Sequence, residues 1–161
     1  ERAEQACLER RKQLGLKFES RPPVQENSCG IENPVLVSGL PNGIGAKLAL
    51  PCSLVAVLSG DGGFMFTAQE LMSAAELQLP LPIVIWENNG YKQIEDDMRS
   101  RGIPPVGVNG INPDFVKLAE ACGCHGRYPK TQQAFEEAFT EAMRADRPTV
   151  ILVREGRDWL A

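Results

Sequence analysis

A parallel β-sheet with helices on both faces, an α/β three-layer arrangement, is the fold the sequence predicts, and three observations predict it. Residues 53–59 (SLVAVLS), 81–86 (LPIVIW) and 149–153 (TVILV) are apolar, β-branched-rich runs that do not alternate with polar residues. Strands covered on both faces read this way. Amphipathic helical patterns lie between these runs. Strand and helix therefore alternate along the chain, and connection rules favour parallel strands joined by crossover helices.

Each helical stretch carries a start signal. Residues 66–79 contain Thr67-Ala68-Gln69-Glu70, which predicts a capping box, and place Leu71, Ala74, Ala75 and Leu79 on one face. Asn112 before Pro113 predicts a cap and a first helical residue, with Phe115, Leu118, Ala119 and Cys122 following at helical spacing up to Gly123. Residues 131–145 turn Phe135, Ala138, Phe139 and Ala142 inward. Residues 1–38 read as an N-terminal helical segment and a polar linker containing Pro22-Pro23 and Pro34, set apart from a domain spanning residues 39–161. Residues 91–109 form a second irregular stretch, whose Glu95-Asp96-Asp97 triplet is expected as a solvated helix face, not a metal cluster.

Composition narrows the function. The 161 residues carry a formal net charge of −4 and no basic tract, so a nucleic-acid partner is not expected. No apolar run reaches the roughly 18–20 residues of a membrane span, and the mixed-charge opening residues form no signal-peptide core. Cys7, Cys29, Cys52, Cys122 and Cys124 are odd in number and scattered, which argues against a disulfide framework and for a reducing, cytoplasmic setting. Cys122-Gly123-Cys124-His125 lacks zinc-site spacing, and His125, the only histidine, reads as structural.

Chemistry concentrates at the carboxyl ends of two predicted strands. Gly60-Asp61-Gly62-Gly63 follows the first, and Asn88-Asn89-Gly90-Tyr91 follows the second. Ligands bind outside such strand ends in open parallel sheets. Each turn alone reads as a tight connection needing positive φ. Together they suggest more. Glycines before a helix start let a phosphate approach the backbone, but the Asp61 carboxylate would repel it unless a hard cation stood between them. Magnesium takes about six oxygens. The Asp61 carboxylate, the Asn89 amide oxygen and the Tyr91 carbonyl, with two diphosphate oxygens and a water, would complete that set. The twenty-five intervening residues (63–87) span one helix and one strand, which returns both halves to the same sheet edge.

On these residues the sequence resembles the thiamine diphosphate-dependent enzymes, whose diphosphate-binding domain carries a G-D-G…N-N signature. Gly39-Leu40-Pro41-Asn42-Gly43-Ile44-Gly45-Ala46 is similar to the family's G-L-P-A-A-I-G-A helix start, and residues 60–71 (GDGGFMFTAQEL) to its G-D-G-x-F…Q-E-L stretch. Residues 83–98, GIPPVGV and PDFVKLAEACGC look most like acetolactate synthase-like 2-oxo acid decarboxylases, particularly those acting on 5-guanidino-2-oxopentanoate. The likeness covers residues 37–160.

The resemblance implies that Asp61, Asn89 and the Tyr91 carbonyl hold Mg²⁺ and that Gly60, Gly62 and Gly63 line the diphosphate. Leu36 falls where a bulky hydrophobe props the cofactor in its bent form, with Val37 where a glycine is usual. The segment before the G-L-P motif looks shortened. The glutamate that activates the aminopyrimidine comes, in the family, from a separate pyrimidine-binding domain, so no catalytic residue is assigned in this chain. The implied function is thiamine diphosphate and Mg²⁺ binding within a decarboxylase or carboligase of small 2-oxo acids, in a homo-oligomer or heteromer. The alternatives are a non-catalytic or truncated cofactor-binding domain, or one subunit of a heteromeric decarboxylase.

Overall fold

The computed structural model describes residues 39–160. Leu36 and Val37, like the rest of the N-terminal segment, lie outside them. In chain order the elements are α1 (Gly39–Ala49), β1 (Val57–Gly60), α2 (Asp61–Met65), α3 (Glu70–Glu76), β2 (Pro82–Glu87), α4 (Lys92–Ser100), α5 (Phe115–Ala121), β3 (His125–Arg127), α6 (Gln132–Ala142) and β4 (Thr149–Arg154), followed by a 3₁₀ turn (Asp158–Leu160). The four strands form one sheet in the order β1-β2-β4-β3, every pair parallel.

Alternate strand residues serve opposite layers, because successive side chains in a strand point to opposite faces. Ile83, Ile85, Val150 and Leu152 pack with Leu40 and Ile44 of α1, Phe64 of α2, Leu71 and Ala74 of α3, and Phe115 and Ala119 of α5. Ile151, between two of those residues, packs the other way against Ala138 and Ala142 of α6. This two-sided burial is why the strands read as continuous apolar runs. Helices on both faces make the three-layer α/β fold that the sequence predicts.

Several elements depart from expectation. The strand expected over residues 53–59 begins at Val57, where its pairing with β2 starts, and Leu54 is exposed. The helix expected over residues 66–79 is confined to α3, Glu70–Glu76, and a separate helix, α2, precedes it at Asp61–Met65. The chain turns helical directly from β1 at Asp61, buries Phe64 edge-on against Phe115 with ring centroids 5.8 Å apart, and restarts at Glu70. No capping box forms: Gln69 is the N-cap and makes no side-chain cap bond, while Glu70 Oε2 accepts from Ser73 Oγ one turn along. The helix after Asn112-Pro113 is capped instead by Asp114, whose Oδ1 accepts from the Lys117 N–H at 3.1 Å. Residues 92–100 of the irregular stretch form α4, on which Glu95 pairs with Lys92 and Arg99, and Asp97 with Arg101. Asp96 and Asp97 form the solvated face expected of the acidic triplet, while the Glu95 side chain is largely covered, at 12 % exposure.

The end of α5 follows its sequence signal. Gly123 adopts a left-handed φ of 78°, and the N–H groups of Gly123 and Cys124 return to the carbonyls of Glu120 and Ala119, a Schellman closure. This delivers the chain into β3, an edge strand too short and polar to be read in advance. His125 opens β3 and lies 2.8 Å from Asp146, an exposed carboxylate held well below its usual range by Arg147 and His125.

Of the described cysteines, Cys122 and Cys124 are free. Cys124 is buried, and desolvation pushes its thiol up to about 11. Reactivity requires the thiolate, so Cys124 should resist iodoacetamide at pH 8 in the folded protein and react in urea. Peptide mass mapping reads this directly; rapid native labelling would contradict the packing. Among the described residues no helix is long and apolar enough to cross a membrane.

Candidate functional site

The register of the two central strands builds the site. Gly60 pairs with Trp86, so β1 and β2 end side by side and release Asp61 and the Asn88-Asn89-Gly90 turn at the same sheet edge. Gly60 is extended and caps α2, making Asp61 its first helical residue. Asn89 and Gly90 have φ of 67° and 151°, which curls successive N–H groups inward. Such a curl is an anion cradle, and the anion in it is the carboxylate of Asp61.

Asp61 is only 1 % exposed and fully engaged on one side. Its Oδ2 accepts from the N–H groups of Asn88 (3.2 Å), Asn89 (2.8 Å) and Gly90 (3.2 Å) and from Asn112 Nδ2 (2.7 Å). Among the described residues, its Oδ1 accepts only from the Gly62 N–H, at 2.8 Å. The carboxylate plane is therefore fixed, and Oδ1 retains acceptor capacity.

A cavity of about 660 Å³ opens beside it, lined by Gly60, Asp61, Gly62, Gly63, Asn88, Gly90 and Tyr91, and by Lys92, Gln93, Ile94 and Asp97 of α4. The Tyr91 carbonyl accepts from Glu95 N–H at 2.9 Å as the first bond of α4, and its N–H ties the turn to the Val108 carbonyl at 2.8 Å. The Tyr91 ring lies against Gly62, where an added Cβ would come within 2.7 Å of Cε1. Glycine at 62 is thus a packing requirement.

The donor set fits a hard cation next to an anionic ligand. Asp61 Oδ1 has room for another partner, and the Tyr91 carbonyl has a second lone pair. Asn88 Oδ1, on the same cavity, is buried with no hydrogen-bond partner among the described residues. A buried orphan acceptor calls for a missing donor or cation. Oxygen-only ligands of this kind suit Mg²⁺.

Of the sequence-predicted residues, Gly60, Asp61, Gly62, Gly63 and Tyr91 come together on this cavity. Asn89 is exposed and lines two smaller neighbouring cavities shared with Glu87 and Arg154. The Gly62 N–H donates to Asp61, and Gly63 lies in the first turn of α2. The sequence reading missed Asn112 and the buried Glu87, which Arg154 Nε holds through Oε2. Asn112-Pro113-Asp114 offers two caps in a row, and nothing in the local pattern shows that the first is released to reach a carboxylate 51 positions away.

Comparisons with known proteins show the family and the fold. Residues 34–153 match the family described as thiamine pyrophosphate enzyme, C-terminal TPP binding domain. A probable 2-ketoarginine decarboxylase of Pseudomonas aeruginosa is 45 % identical over 117 residues, covering 72 % of this chain and 21 % of the relative. A probable acetolactate synthase large subunit of Methanococcus aeolicus is 38 % identical over 115 residues, covering 70 % of this chain and 19 % of the relative. Among solved structures, the thiamine diphosphate-dependent 4-hydroxybenzoylformate decarboxylase of Rhodococcus jostii superposes with a TM-score of 0.69 at 36 % identity, over 74 % of this chain and 23 % of that one. The chain spans about a fifth of the length of these relatives. By its family match and its fold, the chain belongs to the thiamine pyrophosphate enzymes, as their C-terminal cofactor-binding domain.

Proposed function

We propose that this chain supplies the magnesium- and diphosphate-binding half of a thiamine diphosphate-dependent 2-oxo acid decarboxylase or acetolactate synthase-like carboligase. The observation that carries the proposal is the one-sided Asp61 carboxylate, saturated at Oδ2 and open at Oδ1, beside a cavity walled by glycine backbone. In this reading Mg²⁺ is held by Asp61, the Tyr91 carbonyl and the amide oxygen of Asn89, with Gly60, Gly62 and Gly63 lining the diphosphate. The bound cofactor supplies an electron sink for loss of CO₂ from a 2-oxo acid. The chain's own residues bind, orient and neutralise charge; none of them is assigned a proton transfer. The activating glutamate then belongs to a pyrimidine-binding domain in this or another chain, in a cytoplasmic oligomer whose cofactor domain is residues 39–161. The names of the relatives support 2-oxo acids as the substrate class.

Isothermal titration of the full chain with thiamine diphosphate, with Mg²⁺ and with EDTA, tests this reading. Binding that needs Mg²⁺ is expected; equal binding in EDTA, or none in either, would defeat it. The amide ligand is tested in the same way. Asn89→Ala should weaken binding tenfold or more, about 1.4 kcal/mol, because its exposed side chain makes no hydrogen bond within the described residues and is free to turn onto the cation. Asn88→Ala should change affinity much less. The reverse order would hand the role to the orphaned Asn88 Oδ1.

A further inference from the structure

Asn112 reads in the sequence as a helix cap, yet it caps nothing. Its Nδ2 sits 2.7 Å from Asp61 Oδ2, the shortest of the four contacts that oxygen receives from the described residues and the only one of them from a side chain. The same Nδ2 lies 3.4 Å from Glu87 Oε1, and the other Glu87 oxygen is held by Arg154. The Arg154 guanidinium in turn stands 4.9 Å from the centre of the Tyr128 ring. Two carboxylates, 1 % and 5 % exposed, thus flank one neutral amide.

We propose that Asn112 is a positioning residue for the cation site, resting on the cofactor reading above: it closes Oδ2 of Asp61, so that Oδ1 alone is offered to the metal. The chemistry explains why an amide stands there. A carboxylate can turn about its Cβ–Cγ bond, and donors on both oxygens fix its plane. A cationic donor in place of Asn112 would neutralise Asp61 and compete with the metal, whereas another carboxylate would repel it. The amide donates without changing the charge. Arg154 balances Glu87, which leaves the Asp61 charge unmatched at the cavity. Hydrogen-bond partners of metal-binding carboxylates typically change metal affinity by about 10–100-fold when removed.

The test is calorimetry on the full chain, titrating Mg²⁺ at fixed thiamine diphosphate, then thiamine diphosphate at saturating Mg²⁺. Asn112→Ala should raise the Mg²⁺ concentration for half-saturation by about 10–100-fold. At saturating Mg²⁺ its affinity for thiamine diphosphate should return to near that of the wild type, because the glycine contacts are intact. Asn112→Leu, which keeps the volume without the donor, should show the same Mg²⁺ shift, with the fold of each variant checked by circular dichroism. An unchanged Mg²⁺ half-saturation, a weakening that Mg²⁺ does not relieve, or loss of fold in both variants makes Asn112 merely structural and overturns the proposal. A wild-type chain that takes up no thiamine diphosphate at any Mg²⁺ level refutes the cofactor reading itself, and this proposal with it.

Discussion

Asp61→Ala will abolish Mg²⁺-dependent binding of thiamine diphosphate and also cost the fold on the order of 3 kcal/mol. Both effects come from one side chain with two separately used oxygens. Oδ2 is the acceptor for three consecutive backbone N–H groups and the Asn112 amide. Alanine leaves those three N–H groups and the Gly62 N–H without their partner, while Asn112 Nδ2 keeps, among the described residues, only Glu87 Oε1 at 3.4 Å. An unsatisfied buried donor costs about 1–3 kcal/mol, and the half-exposed turn at Asn89 and Gly90 lets water repair part of that loss. Urea denaturation measures the stability effect; a loss below about 1 kcal/mol would mean that the N–H groups are already hydrated. Asp61→Asn separates the two roles. It keeps an acceptor oxygen for the cradle and most of the stability, but lacks the charge that holds the cation. The variant should fold and still fail to bind in the calorimeter. Undiminished binding in Asp61→Ala would remove the metal assignment altogether.

What could be read in advance follows from where each signal lies. The strands at residues 82–87 and 149–154 were legible because burial on two faces removes every polar alternation. The G-D-G and N-N halves were legible because one crossover is a fixed amount of chain, and β1 and β2 pair with Gly60 opposite Trp86. β3, His-Gly-Arg, has no apolar signal to read, since an edge strand three residues long is defined by its neighbour β4. The Thr67–Glu70 pattern matched a capping box locally but lost to a tertiary demand, the burial of Phe64 against Phe115. Asn112 failed in the same way. A side chain that can cap a helix can also serve a carboxylate far away in sequence, and only the fold decides which it does. The interactions that sequence patterning cannot supply are thus long-range polar ones, and in this protein they surround the cation site.

Gly90→Ala is expected to damage fold and site together, and it shows how backbone geometry creates the Asp61 cradle. Gly90 has φ of 151°, a conformation that L side chains rarely adopt. A Cβ there would lie 2.2 Å from the Val108 carbonyl oxygen and 3.2 Å from Asn109 Cα. Both obstacles are backbone, so no rotamer change relieves them; the turn must separate from residues 108 and 109, to which it is joined by the Gly90–Asn109 bridge and the Tyr91 N–H. Backbone strain and overpacking each cost about 1–3 kcal/mol, so a loss of about 3 kcal/mol or more in urea is expected. Moving the turn also withdraws the Gly90 N–H from Asp61 and shifts the Tyr91 carbonyl, so thiamine diphosphate affinity should fall at least tenfold even where the variant is fully folded. Gly110→Ala is the matched control. It lies on the same surface stretch, has open space around its Cβ and no positive φ, and should stay within about 0.5 kcal/mol of wild type. Equal behaviour of the two variants would mean that the turn is loose, and a loose turn could not hold three N–H groups on one oxygen.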